Sequence, residues 1–253
     1  MTIRIGIDVG STTTKAVAVD DSGRVLARSI EPGDPRIAQQ AQRMLEALLE
    51  RVGGGGEASI VATGYGRKLV AMAGKKRTEI SCHALGAFHV MNRPGVLIDV
   101  GGQDTKVIRL NSDGSVADFV MNDKCAAGTG RFLEVILARL GVSWDELADR
   151  YASADPPVQI SSTCTVFAES EVISMLANGQ PVDSVVKGLH IALSDRIVSM
   201  AGRLLMGVET VLLSGGVASN SAMVAALSSK VGKPVAVVPE PQFVGALGAA
   251  LLG

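Results

Sequence analysis

Two segments of the chain share the residue types that bind phosphate groups. Residues 7–17 and 98–108 both begin Ile-Asp-Val-Gly, and both carry Thr-Lys at the same later offset. Glycine lets the backbone approach an anion, hydroxyl and amide groups donate hydrogen bonds to its oxygens, and lysine adds a point charge. The candidate phosphate contacts are Gly10, Ser11, Thr12, Thr13 and Lys15 in the first segment, and Gly101, Gly102 and Gln103 in the second.

An aspartate ends the predicted strand in front of each of these turns. Asp8 and Asp99 therefore stand where a carboxylate can hold hydrated Mg²⁺ facing the phosphates. A third glycine turn, at Gly215 and Gly216, follows the apolar run 211–213, and its bare backbone suits contact with adenosine. One hairpin alone would be an ordinary glycine-rich turn, whereas two copies and a later glycine pair predict a nucleotide site.

The chain has three cysteines, Cys82, Cys125 and Cys164, which are far apart in the sequence. A reducing cytosol disfavours disulfides, so metal binding, catalysis and plain packing all stay open for them. Two cysteines per chain cannot supply the four thiolates of an iron–sulfur cluster, whereas a two-fold homodimer can. The alternative, that these are small buried apolar residues, also stays open at this point.

Capping residues precede two of the cysteines. Asn122 and Asp123 come before Cys125, and Ser161–Thr163 come before Cys164. The pattern predicts a helix that starts at each cysteine. The exposed amides and the dipole of a helix N-terminus favour a thiolate over a thiol.

The elements that must position these residues form an α/β pattern in two similar halves. Each half opens with a β-hairpin built from a β-branched strand, a Gly/Ser/Thr turn and a second β-rich strand. Neither turn opens the helix of a βαβ unit, which excludes P-loop and dinucleotide-binding folds. Apolar periodicity predicts helices over 35–52, 81–91, 125–140, 164–178 and 184–206, a loop over 53–56, and strands over 25–30, 59–62, 210–213 and 235–238.

Composition narrows the class of protein further. The 253 residues are 47% hydrophobic and 19% charged, so a sizeable core is expected and global disorder is excluded. The net charge is −1 with dispersed basic residues, which argues against nucleic-acid or anionic-membrane partners. The N-terminus enters a strand pattern rather than a signal peptide, and the apolar run 244–253 is too short to span a bilayer. A cytoplasmic protein is expected.

Several longer motifs resemble one family. Ala-Thr-Gly-Tyr-Gly-Arg at 62–67, Ser-Cys-His-Ala at 81–84, and the runs at 122–132 and 161–172 are similar to the ATPase activators of 2-hydroxyacyl-CoA dehydratases. The broader family includes the ATPase subunits of benzoyl-CoA reductase, and the match covers the whole chain. It implies an α/β, two-lobed actin/Hsp70/hexokinase-like (ribonuclease H-like) ATPase fold with duplicated βββαβα halves, whose lobes close over ATP. The lobes are expected at 1–95 and 96–253, with the C-terminal helix packing back on the first lobe.

The resemblance also implies cofactors and partners. It implies a homodimer with one bridging [4Fe-4S] cluster held by Cys125 and Cys164 of each copy, and ATP or ADP with Mg²⁺. Reduced ferredoxin or flavodoxin would be the electron donor, and an iron–sulfur dehydratase or reductase component would be the acceptor.

Individual roles follow by position in the motifs. Gln103 would orient the attacking water or the γ-phosphate, Gly215 and Gly216 would face adenosine, and Gln242 would lie nearby. Cys82 and His83 fall in a family motif without an assigned chemistry, so a packed helix start is favoured for them. Two other functions on the same fold stay open, a small-molecule kinase and an ATP-switched actin-like scaffold.

Overall fold

The structure is a computed structural model that describes residues 2–53, 58–162 and 164–253. Most of the predicted loop at 53–56 and the predicted capping residue Thr163 lie outside the described residues. The chain divides into two compact units. Unit 1 contains 1–94, 108–118 and 238–253, and unit 2 contains 95–107 and 119–237. The assignment of lobes to 1–95 and 96–253 stays a prediction.

Unit 1 is built on a mixed sheet. The described residues give it five strands in the order β3-β2-β1-β4-β5, with β1 antiparallel to β2 and parallel to β4. The strands are β1 (Ile3–Val9), β2 (Thr13–Val19), β3 (Val25–Pro32), β4 (Ala58–Gly64) and β5 (Lys75–Lys76), and the helices are α1 (Ile37–Arg51), α2 (Glu79–Met91) and α8 (Val244–Leu251).

Glycines let α8 pack closely against its neighbours in unit 1. A Cβ atom on Gly248 would stand 1.7 Å from the Cys82 carbonyl oxygen in α2, and one on Gly6 would stand 1.9 Å from the Ala246 carbonyl oxygen. The Cys82 side chain is fully buried in this contact, and burial raises the pKa of its thiol to about 11. Cys82 therefore has the packing role that the sequence favoured, because a buried neutral thiol is a poor ligand or nucleophile.

Unit 2 is built around a second sheet, which also has five strands within the described ranges, in the order β10-β9-β6-β7-β8. The central strands β6 and β9 are parallel and almost fully buried. The strands are β6 (Gly95–Val100), β7 (Thr105–Leu110), β8 (Val116–Asn122), β9 (Val211–Ser214) and β10 (Val235–Val237), and the helices are α3 (Gly130–Leu140), α4 (Leu147–Ser153), α5 (Thr165–Ala177), α6 (Val182–Ala201) and α7 (Ser221–Val231).

The helix after Cys125 begins five residues later than the sequence predicted. Cys125 precedes a single 3₁₀ turn, Ala126–Gly128, and α3 begins only at Gly130. The interruption is at Thr129, whose backbone is extended and whose buried hydroxyl donates to the carbonyl oxygens of Gly102 and Ala126. A tertiary hydrogen bond therefore overrides the helical periodicity here.

The predicted helix caps also differ from the observed ones. Asn122 does not cap a helix but ends β8, and no side chain caps α5, whose N-cap residue is Cys164 itself. The predicted helix 184–206 is α6 followed by a 3₁₀ turn that starts at Gly202, which has a φ of +46°. In the part of the chain that the structure describes, no helix combines the length and apolar character needed to cross a membrane.

Candidate functional site

The first hairpin forms a tight turn closed by backbone hydrogen bonding. The Gly10 amide donates to the Thr13 carbonyl oxygen at 3.1 Å, and Ser11 and Thr12 are exposed at the tip. Asp8 and Lys15 are cross-strand partners, and the Lys15 Nζ lies 3.4 Å from where a Cβ on Gly10 would stand. The lysine ammonium therefore lies over the glycine, so the turn combines a positive charge with free hydroxyls.

The second hairpin repeats this arrangement in unit 2. The Gly101 amide donates to the Asp104 carbonyl oxygen at 2.9 Å, and Asp99 and Lys106 correspond to Asp8 and Lys15. Gln103 is exposed at the tip of the turn. The two hairpins share turn geometry as well as sequence. In each, the amide of the first glycine, Gly10 or Gly101, donates to the carbonyl oxygen three residues later.

Lys106 differs from Lys15 in being buried, with 2% exposure. Its Nζ lies 2.5 Å from Asp104 Oδ2 and 3.6 Å from Asp99 Oδ2, and the Ser214 hydroxyl donates to Asp99 Oδ1 at 2.7 Å. The repeated Thr-Lys marks Lys106 in the sequence, but no local pattern predicts its burial or its pairing with Asp104. Both oxygens of Asp99 therefore have protein partners, with which a Mg²⁺ ion or its water ligands would compete.

Asp8 lies in a cradle that only glycines permit. A Cβ on Gly64 would stand 2.6 Å from Asp8 Oδ1, and a Cβ on Gly245 would stand 2.8 Å from Asp8 Oδ2 and 2.6 Å from His83 Cε1. The carboxylate is 5% exposed, and Asp8 is the last residue but one of β1, close to the phosphate-type turn. Oxygen ligands of this kind suit Mg²⁺, so Asp8 fits the predicted ion without the competing lysine found at Asp99.

The third glycine turn follows β9 in unit 2. Gly215 has a φ of +88°, and a Cβ there would stand 2.3 Å from the Val100 carbonyl oxygen, so no other residue fits. No atom lies within 4 Å of the Cβ position of Gly216, which leaves open space beside the backbone. Gln242 is half-buried in unit 1, just before α8.

A buried histidine supports the helix that follows this turn. Asn220 caps α7 by accepting from the amides of Ala222 and Met223, and its Nδ2 donates to His190 Nε2 at 2.9 Å. The other ring nitrogen of His190 donates to the Val186 carbonyl oxygen. Burial lowers the pKa of His190, which agrees with a neutral ring that accepts at Nε2.

The two remaining cysteines, Cys125 and Cys164, are both exposed and both in unit 2. The Asn122 side chain accepts from the Cys125 amide at 3.0 Å and donates to the Cys125 carbonyl oxygen at 2.6 Å, which fixes the backbone of that residue. Before Cys164, the Glu171 carboxylate accepts from the amides of Ser161 and Ser162 at 2.9 and 2.8 Å. Burial would raise the pKa of Glu171, but these hydrogen bonds outweigh it and lower the pKa to about 2.

The segment after Cys125 is bonded directly to the second phosphate-type turn. The amides of Gly130 and Arg131 donate to the carbonyl oxygens of Gly101 and Gly102, each at 2.9 Å. The Thr105 hydroxyl, just after the turn, donates to the Gly128 carbonyl oxygen at 2.6 Å. No local sequence pattern predicts these contacts, because they join residues more than twenty positions apart.

Comparison with known proteins decides the family. The family model described as BadF/BadG/BcrA/BcrD ATPase family matches residues 5–253. The chain belongs to the BadF/BadG/BcrA/BcrD ATPase family. The family resemblance inferred from the motifs is thereby confirmed. The expected hexokinase-like α/β fold class is confirmed as well, because a ROK family glucokinase from Streptomyces griseus shares the fold with a TM-score of 0.64 at 14% identity, over 99% of each chain.

Named relatives of this BadF/BadG/BcrA/BcrD ATPase are similar along their whole length. An activator of lactoyl-CoA dehydratase from Anaerotignum propionicum is 44% identical over 98% of this chain and 95% of that protein. The crystal structure of component A of (R)-2-hydroxyglutaryl-CoA dehydratase from Acidaminococcus fermentans has a TM-score of 0.92 at 41% identity, covering 100% of this chain and 98% of that one. The Clostridium difficile activator of 2-hydroxyisocaproyl-CoA dehydratase, solved with bound ADPNP, has a TM-score of 0.90 at 39% identity, covering 99% and 93%.

The described part of the single chain contains no group of three or more His, Cys, Asp or Glu side chains that could hold a metal ion. Unit 2 exposes two soft thiols, Cys125 and Cys164. Thiolates are the ligands that iron–sulfur clusters use, and two of them make half of a four-thiolate set.

Proposed function

We propose that this protein is an ATP-hydrolysing activator that drives single electrons from a [4Fe-4S] cluster into an iron–sulfur dehydratase or reductase partner. The observation that carries the proposal is the direct hydrogen bonding of the second phosphate-type turn to the segment behind Cys125. Relatives named as activators of 2-hydroxyacyl-CoA dehydratases support the partner class, a 2-hydroxyacyl-CoA dehydratase or a related reductase.

Cys125 and Cys164 of two identical copies would hold the cluster. Both thiols are exposed, so a second copy can reach them, and two copies supply the four thiolates of a [4Fe-4S] site. The backbone contacts of Asn122 and Glu171 hold the two cysteine segments before any metal arrives. When bound, the cluster supplies one-electron chemistry, with reduced ferredoxin or flavodoxin as donor. Exposed thiols suit a reducing compartment, so we place the protein in the cytoplasm.

The nucleotide contacts follow from the three glycine turns. We assign phosphate binding to the first turn with its Lys15 ammonium and to the second turn with Gln103 at its tip. Asp8 is the Mg²⁺ ligand in this proposal, and Asp99 contributes through its contact with Lys106. Adenosine lies against the second glycine of the third turn, where space is open, with Gln242 nearby. The backbone and hydroxyl contacts in this proposal are Gly10, Ser11, Thr12, Thr13, Gly101, Gly102, Gly215 and Gly216.

Electron transfer at low potential requires free energy, which ATP hydrolysis would have to supply. Moving one electron to a more negative reduction potential costs about 2.3 kcal/mol per 100 mV. ATP hydrolysis must therefore change the surroundings of the cluster. A nucleotide that displaced Gly101 or Gly102 would act directly on the amides of Gly130 and Arg131, which are bonded to them. These amides start the helix that follows Cys125, so this contact is the proposed route from the phosphate turn to the thiol.

The test is anaerobic purification followed by an electron-transfer assay. The dimer is expected to contain about four iron and four sulfide atoms, with the broad visible absorbance of such a cluster. It is expected to reduce a 2-hydroxyacyl-CoA dehydratase only when ATP is present, and not with ADPNP, which cannot be hydrolysed. ATP binding without iron or sulfide would contradict the proposal and favour a kinase or an ATP-switched scaffold.

Gln103→Ala is expected to lower ATP turnover by roughly 10- to 100-fold while leaving nucleotide affinity nearly unchanged. An exposed glutamine at the tip of the turn can position water in the transition state, whereas most binding comes from the backbone and Lys15. Turnover and affinity are measured on the same preparation. Gln42→Ala is the matched control, because Gln42 is exposed on α1, where its side chain bonds Glu46. Equal turnover in both variants would show that Gln103 is an ordinary turn residue without a role in hydrolysis.

A further inference from the structure

A single arginine contacts both cysteine segments. Arg196 extends from α6, and its Nη1 donates to the Ala127 carbonyl oxygen at 3.1 Å while its Nη2 donates to the Ser162 carbonyl oxygen at 2.5 Å. Ala127 is two residues after Cys125, and Ser162 is two residues before Cys164. The guanidinium therefore joins two segments that are distant in sequence and carry the two exposed thiols.

We propose that Arg196 is a positioning residue that holds the Cys125 and Cys164 segments as a pair and keeps a fixed positive charge beside the cluster. The inference rests on the proposed function, because it assigns a role toward the cluster that those two cysteines would bind. None of the motifs in the sequence pointed to Arg196, which stands in the middle of a long helix.

The surroundings of Arg196 hold its guanidinium in place. Its plane lies over the Phe132 ring, with 4.3 Å from Cζ to the ring centroid, and the side chain is half-buried. Glu171 accepts from the Ser162 amide while Arg196 donates to the Ser162 carbonyl oxygen, so both backbone polar groups of Ser162 are held. A planar fork of donors can bond two carbonyl groups at once, which a lysine ammonium does less well.

Arg196 also brings its charge to the cavity that Cys125 lines. Arg196 and Cys125 line the same surface cavity of about 560 Å³, together with Lys124 and Met200. Burial lowers the pKa of Arg196, and negative charge on Cys125 raises it, but an arginine stays protonated in proteins. A cation in this position stabilises the more negative, reduced state of a neighbouring cluster, and so raises its reduction potential.

The test separates the positioning of the segments from the charge. Arg196→Met removes both, so iron loss to the chelator bathophenanthroline is expected about tenfold faster, with a more negative midpoint potential. Arg196→Lys keeps the charge but not the paired contacts, so fast iron loss is expected with a potential close to wild type. Thermal unfolding of the metal-free proteins monitors folding independently of the cluster. Arg150→Met is the matched control, because Arg150 bonds Glu146 and Asp183 instead of the cysteine segments.

Each outcome is decisive. In one outcome, the wild type carries the cluster and Arg196→Met has the same chelation rate and midpoint potential as the wild type. That result would overturn the role of Arg196 and leave the proposed function intact. A wild type that takes up no iron under the same reconstitution would overturn both. If Arg196→Met fails to fold, Arg196→Lys carries the test, and a wild-type chelation rate in that variant would overturn the positioning role.

Discussion

Cys125→Ser or Cys164→Ser protein, purified without oxygen, is expected to contain only background iron. In a symmetric dimer each substitution removes two of the four thiolates, and a serine hydroxyl is not an adequate replacement for a soft thiolate ligand. ATP binding is expected to survive, because neither thiol belongs to the three glycine turns. Iron, sulfide and nucleotide affinity are measured on the same preparations.

Cys82→Ser is the control for this experiment. Cys82 is fully buried against α8, and burial holds its thiol in the neutral form. Its iron content is therefore expected to equal that of the wild type, at the cost of some stability from placing a hydroxyl in the core. A full cluster in either Cys125→Ser or Cys164→Ser, or its loss in Cys82→Ser, would refute the ligand assignment.

Lys106→Met is expected to lower the free energy of unfolding by about 3–5 kcal/mol. The substitution leaves the carboxylates of Asp104 and Asp99 buried without the ammonium that lies 2.5 and 3.6 Å from them. Removing one partner of a buried ion pair costs more than the pair itself contributes, because the remaining charge is no longer compensated. Equilibrium denaturation near pH 7 measures the effect.

Lys15→Met is the matched control, because it is the same substitution at the equivalent position of the first hairpin. Lys15 is half-buried beside Gly10, so a much smaller loss of stability is expected there. Adding Asp104→Asn to Lys106→Met is expected to recover part of the loss, since it removes one of the two uncompensated charges. A loss below about 1 kcal/mol for Lys106→Met would show that water solvates these carboxylates after the change.

The features of this fold that the sequence predicted are those that depend on residues close together along the chain. The duplicated hairpins, the third glycine turn and most helices could be predicted because turn residues and apolar periodicity are local properties. The start of α3 could not, because it depends on the Thr129 hydroxyl reaching the Gly102 carbonyl oxygen. For the same reason the buried state of Lys106 and the bridge made by Arg196 were missed, since both depend on partners from distant strands, loops and helices.

The equivalent threonines of the two hairpins, Thr14 and Thr105, bond different kinds of acceptor. In the first copy, the Thr14 hydroxyl bonds the side chain of Gln40, which in turn accepts from the Asp34 amide and donates to the Pro32 carbonyl oxygen. In the second copy, the equivalent Thr105 bonds the main-chain carbonyl of Gly128. A side-chain anchor is lost when its one residue mutates, whereas a main-chain carbonyl is supplied by every amino acid. The acceptor for Thr105 therefore does not depend on the identity of one side chain, whereas the acceptor for Thr14 is lost when Gln40 is replaced.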